Sequence, residues 1–307
     1  MSAMLSIVTT LYQSAPYLQE FYERVTRAAL EITDRYDVIM VNDGSPDESL
    51  TIALELQKSD PRLTIIDLSR NFGHHRAIMT GLQHARGEYV FLIDSDLEEA
   101  PELLSEFWDE LRKEKSADSI CGVQIGRKGT FFERISGSFF NKAINFISGI
   151  PIPENVVLVR LMRQKYVAKL ILHAERELTF VGIVALTGCN QKYIEIQKSY
   201  KGTTTYTLLR KINLAFNYIT SLSSGPLESI FYAGLIITLC AFTAMLLLII
   251  RHFFSYITLG WTSLIISIWL VGGIIIFFLG ILAIYVSKIF IEVKNRPYTI
   301  IKDIYKR

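Results

Sequence analysis

A long segment near the C-terminus is almost free of charge, and it limits the folds open to this chain. Between residues 229 and 287 the only Asp, Glu, Lys, Arg or His side chains are Arg251 and His252, although 20% of all residues in the chain are charged. The two apolar parts, 229–250 and 261–287, are each long enough, at about 1.5 Å per residue, to cross a hydrocarbon core roughly 30 Å thick. Because helices of soluble proteins rarely stay uncharged on every face for so long, we predict two transmembrane helices.

Basic residues on either side of the predicted spans indicate their orientation. The connection between the spans has one basic residue, Arg251, whereas positive charges are dense outside them. They are Lys201, Arg210 and Lys211 before the first span, and Lys288, Lys294, Arg296, Lys302, Lys306 and Arg307 after the second. Since positively charged flanks stay in the cytoplasm, we predict a multi-pass protein of the inner (plasma) membrane, with the N-terminal region and both termini cytoplasmic. The first ten residues carry no basic side chain, so no cleaved signal peptide is predicted.

The net charge and the cysteines exclude several classes of protein. The net charge is +2, so the sequence does not predict a nucleic-acid partner. The 3 cysteines, Cys121, Cys189 and Cys240, have no C-x-x-C spacing. An odd number of cysteines in this arrangement indicates neither a disulfide framework nor a zinc site. A reducing compartment is therefore expected.

The region before the spans alternates between apolar runs typical of strands and segments with the length of helices. The runs are 5–12, 36–43, 63–69, 88–96 and 118–124, and the helical segments are 16–33, 47–58, 73–85 and 101–113. This alternation predicts an α/β fold with helices on both faces of a mostly parallel sheet. In such a sheet the ligand lies at the carboxyl ends of the strands.

Carboxylates follow two of the predicted strands. The sequence NDGS (42–45) follows the second, and DSDLEE (94–99) follows the fourth. In a rigid strand the period-two alternation sends Asp94 and Asp96 to one face, and such hard oxygen ligands suit Mg²⁺ or Mn²⁺. The chain has neither G-x-G-x-x-G nor G-x-x-x-x-G-K-[ST], which excludes Rossmann dehydrogenases and P-loop proteins. The phosphates of a ligand would then be neutralised by a metal and by side chains.

The ordered motifs of the chain resemble those of the polyprenyl-phosphate glycosyltransferases, bacterial relatives of dolichyl-phosphate mannose synthase. They are SIVTTLY, VNDGS, LSRNFGHHRAIMTGLQHARGEYVFLIDSDLEEAPE, GVQIGRKG, NVVLVRLM, TSLSSGPL and a terminal hairpin ending in EVKNRP, and they cover nearly the whole chain. The resemblance implies a nucleotide-sugar-binding domain of the GT-A type, Rossmann-like with a mostly parallel sheet. It also implies transfer of one sugar, with inversion, from a UDP-sugar to polyprenyl (undecaprenyl) phosphate, and UDP-glucose is the expected donor.

On this resemblance, the strand ends supply both a donor site and a metal site. The candidate donor-binding residues are Thr10, Tyr12, Asp43, Asn71, Gly73 and Asp94. The candidate ligands of Mg²⁺ or Mn²⁺ are Asp94, Asp96 and Glu98, and Glu98 stands where the family often has Gln. His74 and His75 are not predicted to bind a metal, because adjacent residues on a helix point about 100° apart.

Cations are expected to bind the acceptor phosphate. The candidates are Arg127, Arg134, Arg160 and Lys201, since a guanidinium fork matches phosphate oxygens bidentately. By the resemblance, Lys198 or Lys201 replaces the basic residue of a later family motif. A phosphate monoester, with a second pKa near 6, is largely a dianion at cytosolic pH, so no strong general base is needed. Together with Asp94 and Asp96, Arg127 completes the predicted catalytic residues.

Three positions differ from the common family pattern, so other functions are also considered. Ser14 replaces a Glu, Leu158 replaces an Asp, and Ser199 replaces an Arg. One alternative hypothesis is therefore a non-catalytic membrane scaffold that has kept a nucleotide-binding fold. Another is a processive polysaccharide synthase, although those enzymes usually have a Q-x-x-R-W element and more spans than this sequence shows.

Two further segments have apolar residues at helical spacing and basic residues on other faces, namely 127–148 and 204–223. Such helices are predicted to lie in the headgroup plane of a membrane; the alternative is that their apolar faces pack on the sheet domain. The expected organisation is a nucleotide-sugar-binding core at 1–126, an acceptor region at 127–228, the transmembrane hairpin at 229–287 and a basic cytoplasmic tail at 288–307. Gly272, Gly273 and Gly280 in the second span would permit close helix packing and a homo-oligomer.

Overall fold

The computed structural model describes residues 4–124, 156–173, 180–198 and 260–306, with isolated positions between 230 and 243. The chain divides into two compact units. The first is formed by Met1–Ala143, Ile150–Thr207 and Pro297–Arg307, and the second by Ile144–Gly149 and Leu208–Arg296. Both amphipathic segments and most of the first predicted span lie outside the described residues.

An eight-stranded sheet forms the centre of the first unit. In chain order its strands are β1 (Leu5–Leu11), β2 (Tyr36–Asn42), β3 (Leu63–Leu68), β4 (Tyr89–Leu92), β5 (Ser119–Gln124), β6 (Val156–Arg163), β7 (Gln191–Ile196) and β8 (Ile301–Tyr305). The spatial order is β7-β5-β6-β4-β1-β2-β3-β8. The four strands β4, β1, β2 and β3 run parallel to one another, as do β5 and β7, whereas β6 and β8 are antiparallel to their neighbours. The predicted α/β fold with a mostly parallel sheet is therefore confirmed.

Helices cover both faces of this sheet. They are α1 (Leu18–Ile32), α2 (Ser49–Ser59), α3 (His74–His84), α4 (Leu103–Lys113), α5 (Gln164–Leu170) and α6 (Phe180–Leu186). On one face α1, α2 and α4 share an apolar core with Ile7 and Met40 of the sheet. On the other, α3 packs so closely at Gly81 that an added Cβ would lie 2.5 Å from Val8 Cγ1. Because both faces of the sheet are buried, the sequences of β1 and β2 are nearly continuous runs of apolar residues.

The predicted elements of the first 124 residues match the structure to within a few residues, although β4 is much shorter than its predicted run. The hydrogen bonds of Asp47 explain why the sequence predicted the start of α2 correctly to within two residues. Asp47 Oδ1 accepts the N–H of Ser49 at 3.1 Å and also contacts the Ser49 hydroxyl at 2.6 Å. An aspartate before the first turn satisfies a backbone donor that has no partner within the helix.

The last strand, β8, was not predicted by the sequence analysis. It follows the apolar segment and pairs antiparallel with β3, with Ile66 opposite Ile304 and Asp67 opposite Asp303. The tail that was expected to be only a basic cytoplasmic segment therefore also supplies a strand to the sheet.

The second unit contains α7 (Trp261–Val293), a helix of 33 residues. It begins where the second span was predicted and continues past Ser287 to Val293. Among the described residues, Val271–Val293 is the stretch long and apolar enough to cross a membrane, with a mean hydropathy of 2.6 and none of its most apolar window buried inside the protein.

Candidate active site

The carboxyl ends of β1, β2 and β4 and the start of α3 come together at one edge of the sheet. Asp43 follows β2, Asp94 follows β4 after one residue, and Thr10 lies at the end of β1. His74 is the first residue of α3. The sequence placed the ligand site at this edge because parallel strands present their carboxyl ends on the same side.

Asp43 fixes the loop between β3 and α3. Its carboxylate accepts the N–H groups of Phe72 at 2.7 Å and Gly73 at 3.0 Å. Burial raises the pKa of Asp43, and these two hydrogen bonds oppose the rise. Gly44 has φ +60°, and an added Cβ would lie 2.5 Å from the backbone of Arg70 and Asn71. A glycine is therefore required where the loop approaches β2.

His74 joins two of the strand ends. Its Nδ1 lies 3.1 Å from Thr10 Oγ1, and its Nε2 lies 3.5 Å from Asp94 Oδ1. Burial lowers the pKa of the imidazole, while the nearby carboxylates raise it. An ionised carboxylate only accepts hydrogen bonds, so the neutral ring facing an ionised Asp94 carries its proton on Nε2 and accepts from Thr10 at Nδ1.

Negative charge is concentrated beyond β4. Burial raises the pKa of Asp94 to about 7, and the charges of Asp96 and Glu98 add to this rise. Burial likewise raises the pKa of Glu99 to about 7, although the positive charge of Lys198 opposes it. Two carboxyl groups that resist ionisation, Asp94 and Glu99, favour a cation beside them.

Lys198 supplies one such cation from just beyond β7. Its Nζ lies 2.7 Å from Glu98 Oε2 and 3.1 Å from Glu99 Oε1. Burial alone would lower the pKa of the ammonium, but the two glutamates outweigh burial and raise it above its ordinary value. Lys198 therefore stays charged and holds Glu98.

Ser95 separates the two aspartates and contacts the end of β1 and the residues after it. Its Oγ lies 2.8 Å from the carbonyl oxygen of Thr10 and 2.8 Å from Ser14 Oγ. A hydroxyl has one proton, so Ser95 donates to the carbonyl and accepts from Ser14. The residue at the first departure from the family pattern thus supports the acidic turn. That turn continues through Leu97 at φ +59°, and Asp96 Oδ1 accepts the N–H of Glu98 at 2.9 Å.

The predicted metal ligands are hard oxygen donors, which fits Mg²⁺ or Mn²⁺. The raised pKa of Asp94, caused by burial and by the charges of Asp96 and Glu98, also fits a bound cation. In the part of the chain that the structure describes, however, no group of three or more His, Cys, Asp or Glu side chains surrounds one metal position. The ligand set of Asp94, Asp96 and Glu98 stays a prediction.

Arg160 lies close to the site but deep in the protein. It is opposite Leu92 in the β4–β6 pair, two residues before Asp94. The side chain is fully buried. Its Nε donates to the carbonyl of Leu158 at 2.9 Å, and the guanidinium lies 4.8 Å from the centre of the Phe180 ring. A phosphate would reach Arg160 only after a rearrangement, and its role stays a prediction.

The other predicted residues divide into two groups. Tyr12 and Asn71 are exposed at the same edge of the sheet, and the donor contacts expected of them stay predictions. Arg127, Arg134 and Lys201, which were expected to bind the acceptor phosphate, lie outside the described residues.

The sequence analysis missed the side-chain contacts of His74 and the buried Glu99. The only signal for Glu99 was its position in the acidic DSDLEE motif. The signal for His74 was its position at the start of the predicted helix after β3, which directs its side chain toward the strand ends.

The chain thus has an α/β fold with carboxylates at the carboxyl ends of its central strands. The model of glycosyl transferase family 2 matches residues 6–171. The chain belongs to this family and is a glycosyltransferase.

Individual relatives agree with this assignment. A protein of Mycobacterium tuberculosis (strain CDC 1551 / Oshkosh) described as a putative glycosyltransferase is 48% identical, over 98% of this chain and 88% of its own length. The SfII prophage-derived bactoprenol glucosyl transferase of Shigella flexneri is 31% identical, over 98% of each chain. The crystal structure of M. tuberculosis glucosyl-3-phosphoglycerate synthase has a TM-score of 0.50 at 12% identity, covering 73% of this chain and 80% of that one. This structural likeness supports the predicted GT-A type of α/β fold.

Proposed function

We propose that the protein transfers one glucose from UDP-glucose to undecaprenyl phosphate at the cytoplasmic face of the membrane, with inversion at the anomeric carbon. The observation that carries this proposal is the acidic turn Asp94–Glu99, held at the same edge of the sheet as Thr10, Asp43 and His74. The full-length similarity to a protein named a bactoprenol glucosyl transferase supports the choice of sugar and acceptor.

The donor would bind across the ends of β1 and β2 and the start of α3. Thr10, Tyr12, Asp43, Asn71 and Gly73 are the proposed contacts. Asp43 already holds the loop at Phe72 and Gly73 in place. Binding would therefore cost little conformational entropy in this loop. The first N–H groups of a helix also favour an anion, which suits a diphosphate near the start of α3.

Asp94, Asp96 and Glu98 would hold Mg²⁺ or Mn²⁺, which when bound supplies positive charge for the leaving diphosphate. Lys198 already neutralises part of this cluster by pairing with Glu98 and Glu99. The protein's own contribution here is a set of carboxylates fixed by the sheet, with one ammonium that limits their repulsion.

The reaction itself needs orientation more than proton removal. An oxygen of the acceptor phosphate dianion attacks the anomeric carbon, the bond to the diphosphate oxygen breaks, and UDP leaves with the electron pair. Arg127, Arg134, Arg160 and Lys201 are proposed to hold the acceptor phosphate against the repulsion of the donor. A single displacement of this kind inverts the anomeric centre.

The apolar segments would place this chemistry at a membrane. The exposed apolar side chains of α7 suit a lipid environment, and the sequence supplies a second span at 229–250. The basic segments 127–148 and 204–223 would lie at the headgroups, where a lipid phosphate emerges. At Gly272, Gly273 and Gly280 no atom of the described residues lies within 4 Å of an added Cβ, so this side of the helix would have room for a second copy.

The proposal is tested with the purified full chain, undecaprenyl phosphate, Mg²⁺ or Mn²⁺ and a panel of labelled nucleotide sugars. We expect a lipid product that carries one glucose, made from UDP-glucose. Asp96→Asn should reduce turnover by at least about a hundredfold, because it removes a carboxylate at the diphosphate. The exposed Asp34→Asn is the matched control and should keep full activity.

Other outcomes would favour the alternative functions. Products with many sugars would identify a processive synthase. Calorimetric binding of a nucleotide sugar without turnover of any donor would identify a scaffold. Full turnover by Asp96→Asn at the same metal concentration would overturn the role given to Asp96.

A further inference from the structure

The segment that follows α7 lies along α3 and the end of β3. Ser69 donates its N–H to the carbonyl of Ile300 at 2.9 Å. The hydroxyls of Thr80 and Thr299 are 2.8 Å apart, and the guanidinium of Arg76 lies 5.6 Å from the centre of the Tyr298 ring. We call residues 298–300 the C-terminal brace.

The hydroxyl contact has a defined direction. Thr80 Oγ1 is also 2.9 Å from the carbonyl oxygen of Arg76, one helical turn earlier. Because a carbonyl only accepts, Thr80 gives its single proton to Arg76 and accepts from Thr299. Thr80 is only 1% exposed, so water does not replace Thr299 without rearrangement.

The same helix and loop hold the donor site. The loop after Ser69 supplies the N–H groups of Phe72 and Gly73 to Asp43. The first residue of α3, His74, contacts Thr10 and Asp94. Thr80 lies less than two turns from His74 on one continuous helix, so a change in the position of α3 moves these contacts together.

We propose that Thr299 is a positioning residue for the donor site, acting through Thr80 and α3. This inference rests on the proposed function, because it assigns the nucleotide sugar to the edge of the sheet where α3 begins. The brace lies at the point where the chain returns to the sheet unit after the apolar helix, since that unit resumes at Pro297. The segment that follows α7 would therefore support donor binding.

The test compares Thr299→Val with Thr299→Ser in the full chain. Valine has the shape of threonine but removes the donor to Thr80, and Thr299 is half-buried, so the larger apolar surface is tolerated. Loss of one hydrogen bond changes an equilibrium constant by about fivefold. We expect Thr299→Val to raise the KM for the donor about fivefold and to leave kcat within about twofold, while Thr299→Ser restores the wild-type KM.

A second readout does not depend on catalysis. Hydrogen exchange of the Phe72 and Gly73 amides should speed up about fivefold in Thr299→Val, because α3 no longer holds the loop as firmly. The matched control is Thr26→Val, which removes another hydroxyl bonded within its own helix, on α1. It should change neither the exchange of these amides nor the KM.

Several results would overturn the inference. They are unchanged exchange and KM in Thr299→Val, equal effects in Thr26→Val, or additive effects of Thr80→Val and Thr299→Val in a double-mutant cycle. If Thr299→Val did not fold, Tyr298→Leu, which removes the ring beside Arg76, would be tested by the same exchange measurement. Faster exchange in a protein that turns over no donor would support the brace while contradicting the proposed function.

Discussion

Lys198 places a positive charge inside the acidic site, next to the predicted metal ligands. Its ammonium pairs with Glu98, a predicted metal ligand, and with the buried Glu99. A divalent ion that binds Glu98 must therefore compete with a cation that the protein already carries. Such competition would weaken metal binding in the absence of the donor, whose diphosphate could attract Lys198 away.

We expect Lys198→Gln to bind Mn²⁺ about three to ten times more tightly than the wild type, since the carboxylates lose a competing charge worth on the order of 1 kcal/mol. Electron paramagnetic resonance of free Mn²⁺ measures this affinity without any turnover. Lys192→Gln is the matched control, because Lys192 on β7 pairs with Glu110 away from the site, at 2.9 Å. Equal or weaker Mn²⁺ binding by Lys198→Gln would contradict the competition.

The sequence predicted where the acidic motif lies better than the backbone that carries it. DSDLEE follows β4 as expected, but β4 ends at Leu92, so Asp94 and Asp96 lie beyond the strand and strand alternation does not put them on one face. Lys198 follows β7 and Glu98 follows β4, and β5 and β6 lie between these two strands in the sheet. The contact between Lys198 and Glu98 therefore depends on the assembled sheet. No local pattern contains that information, although a family motif singled Lys198 out as a candidate.

The stability of α2 is expected to depend on the ionisation of one side chain, Asp47, at its start. Burial by itself would raise the pKa of Asp47, but hydrogen bonds from Ser45, Ser49 and the N–H of Ala15 outweigh it and lower the pKa to about 2. A carboxylate with a depressed pKa stabilises the folded state when it is ionised. The stabilisation is complete above the ordinary pKa near 3.8 and is lost as the pH falls through about 2.

Asp47→Ala should therefore lower the free energy of unfolding by about 1 kcal/mol at neutral pH, a loss similar to that of a capping hydrogen bond, because Asp47 accepts the N–H of Ser49 at the start of α2. The difference from the wild type should shrink as the pH falls from about 4 to about 2. Urea unfolding of the full chain in detergent, followed at several pH values, measures it. Asp34→Ala, at an exposed position just after α1, should show little difference at any pH, and a constant difference for Asp47→Ala would contradict the prediction.

The elements that the sequence predicted are those with a strong internal pattern. β1, β2 and β3 are apolar runs buried on both faces, and their helices have clear starting residues. By contrast, β8 has the short sequence IKDIY, with three of its five residues exposed. It becomes a strand because β3 offers an unpaired edge, which is a property of the assembled sheet.

For the whole molecule, the testable property is the two-span topology. The second predicted span has its counterpart in α7, whereas the topology as a whole remains a proposal based on the charge pattern. If it is right, a cysteine introduced at Ser255, between the spans, reacts with a membrane-impermeant reagent added to intact cells. A cysteine introduced at Lys306 reacts only after the membrane is opened.

The native cysteines Cys121, Cys189 and Cys240 would first be replaced by serine, and retention of glycosyltransferase activity would show that the fold is intact. Labelling of both positions from the same side of the membrane would contradict the two-span topology. Labelling of Ser255→Cys only after opening would place the connection in the cytoplasm.

The pairing of β8 with β3 also sets an order of events during synthesis. β3 leaves the ribosome early, whereas β8 is made only after the apolar helix α7. Until then the outer edge of β3 has no partner in the sheet, and unpaired edges of this kind are prone to wrong associations. The newly made enzyme would therefore acquire its braced donor site only after the apolar segment has entered the membrane, so that sugar transfer begins where the lipid acceptor is found.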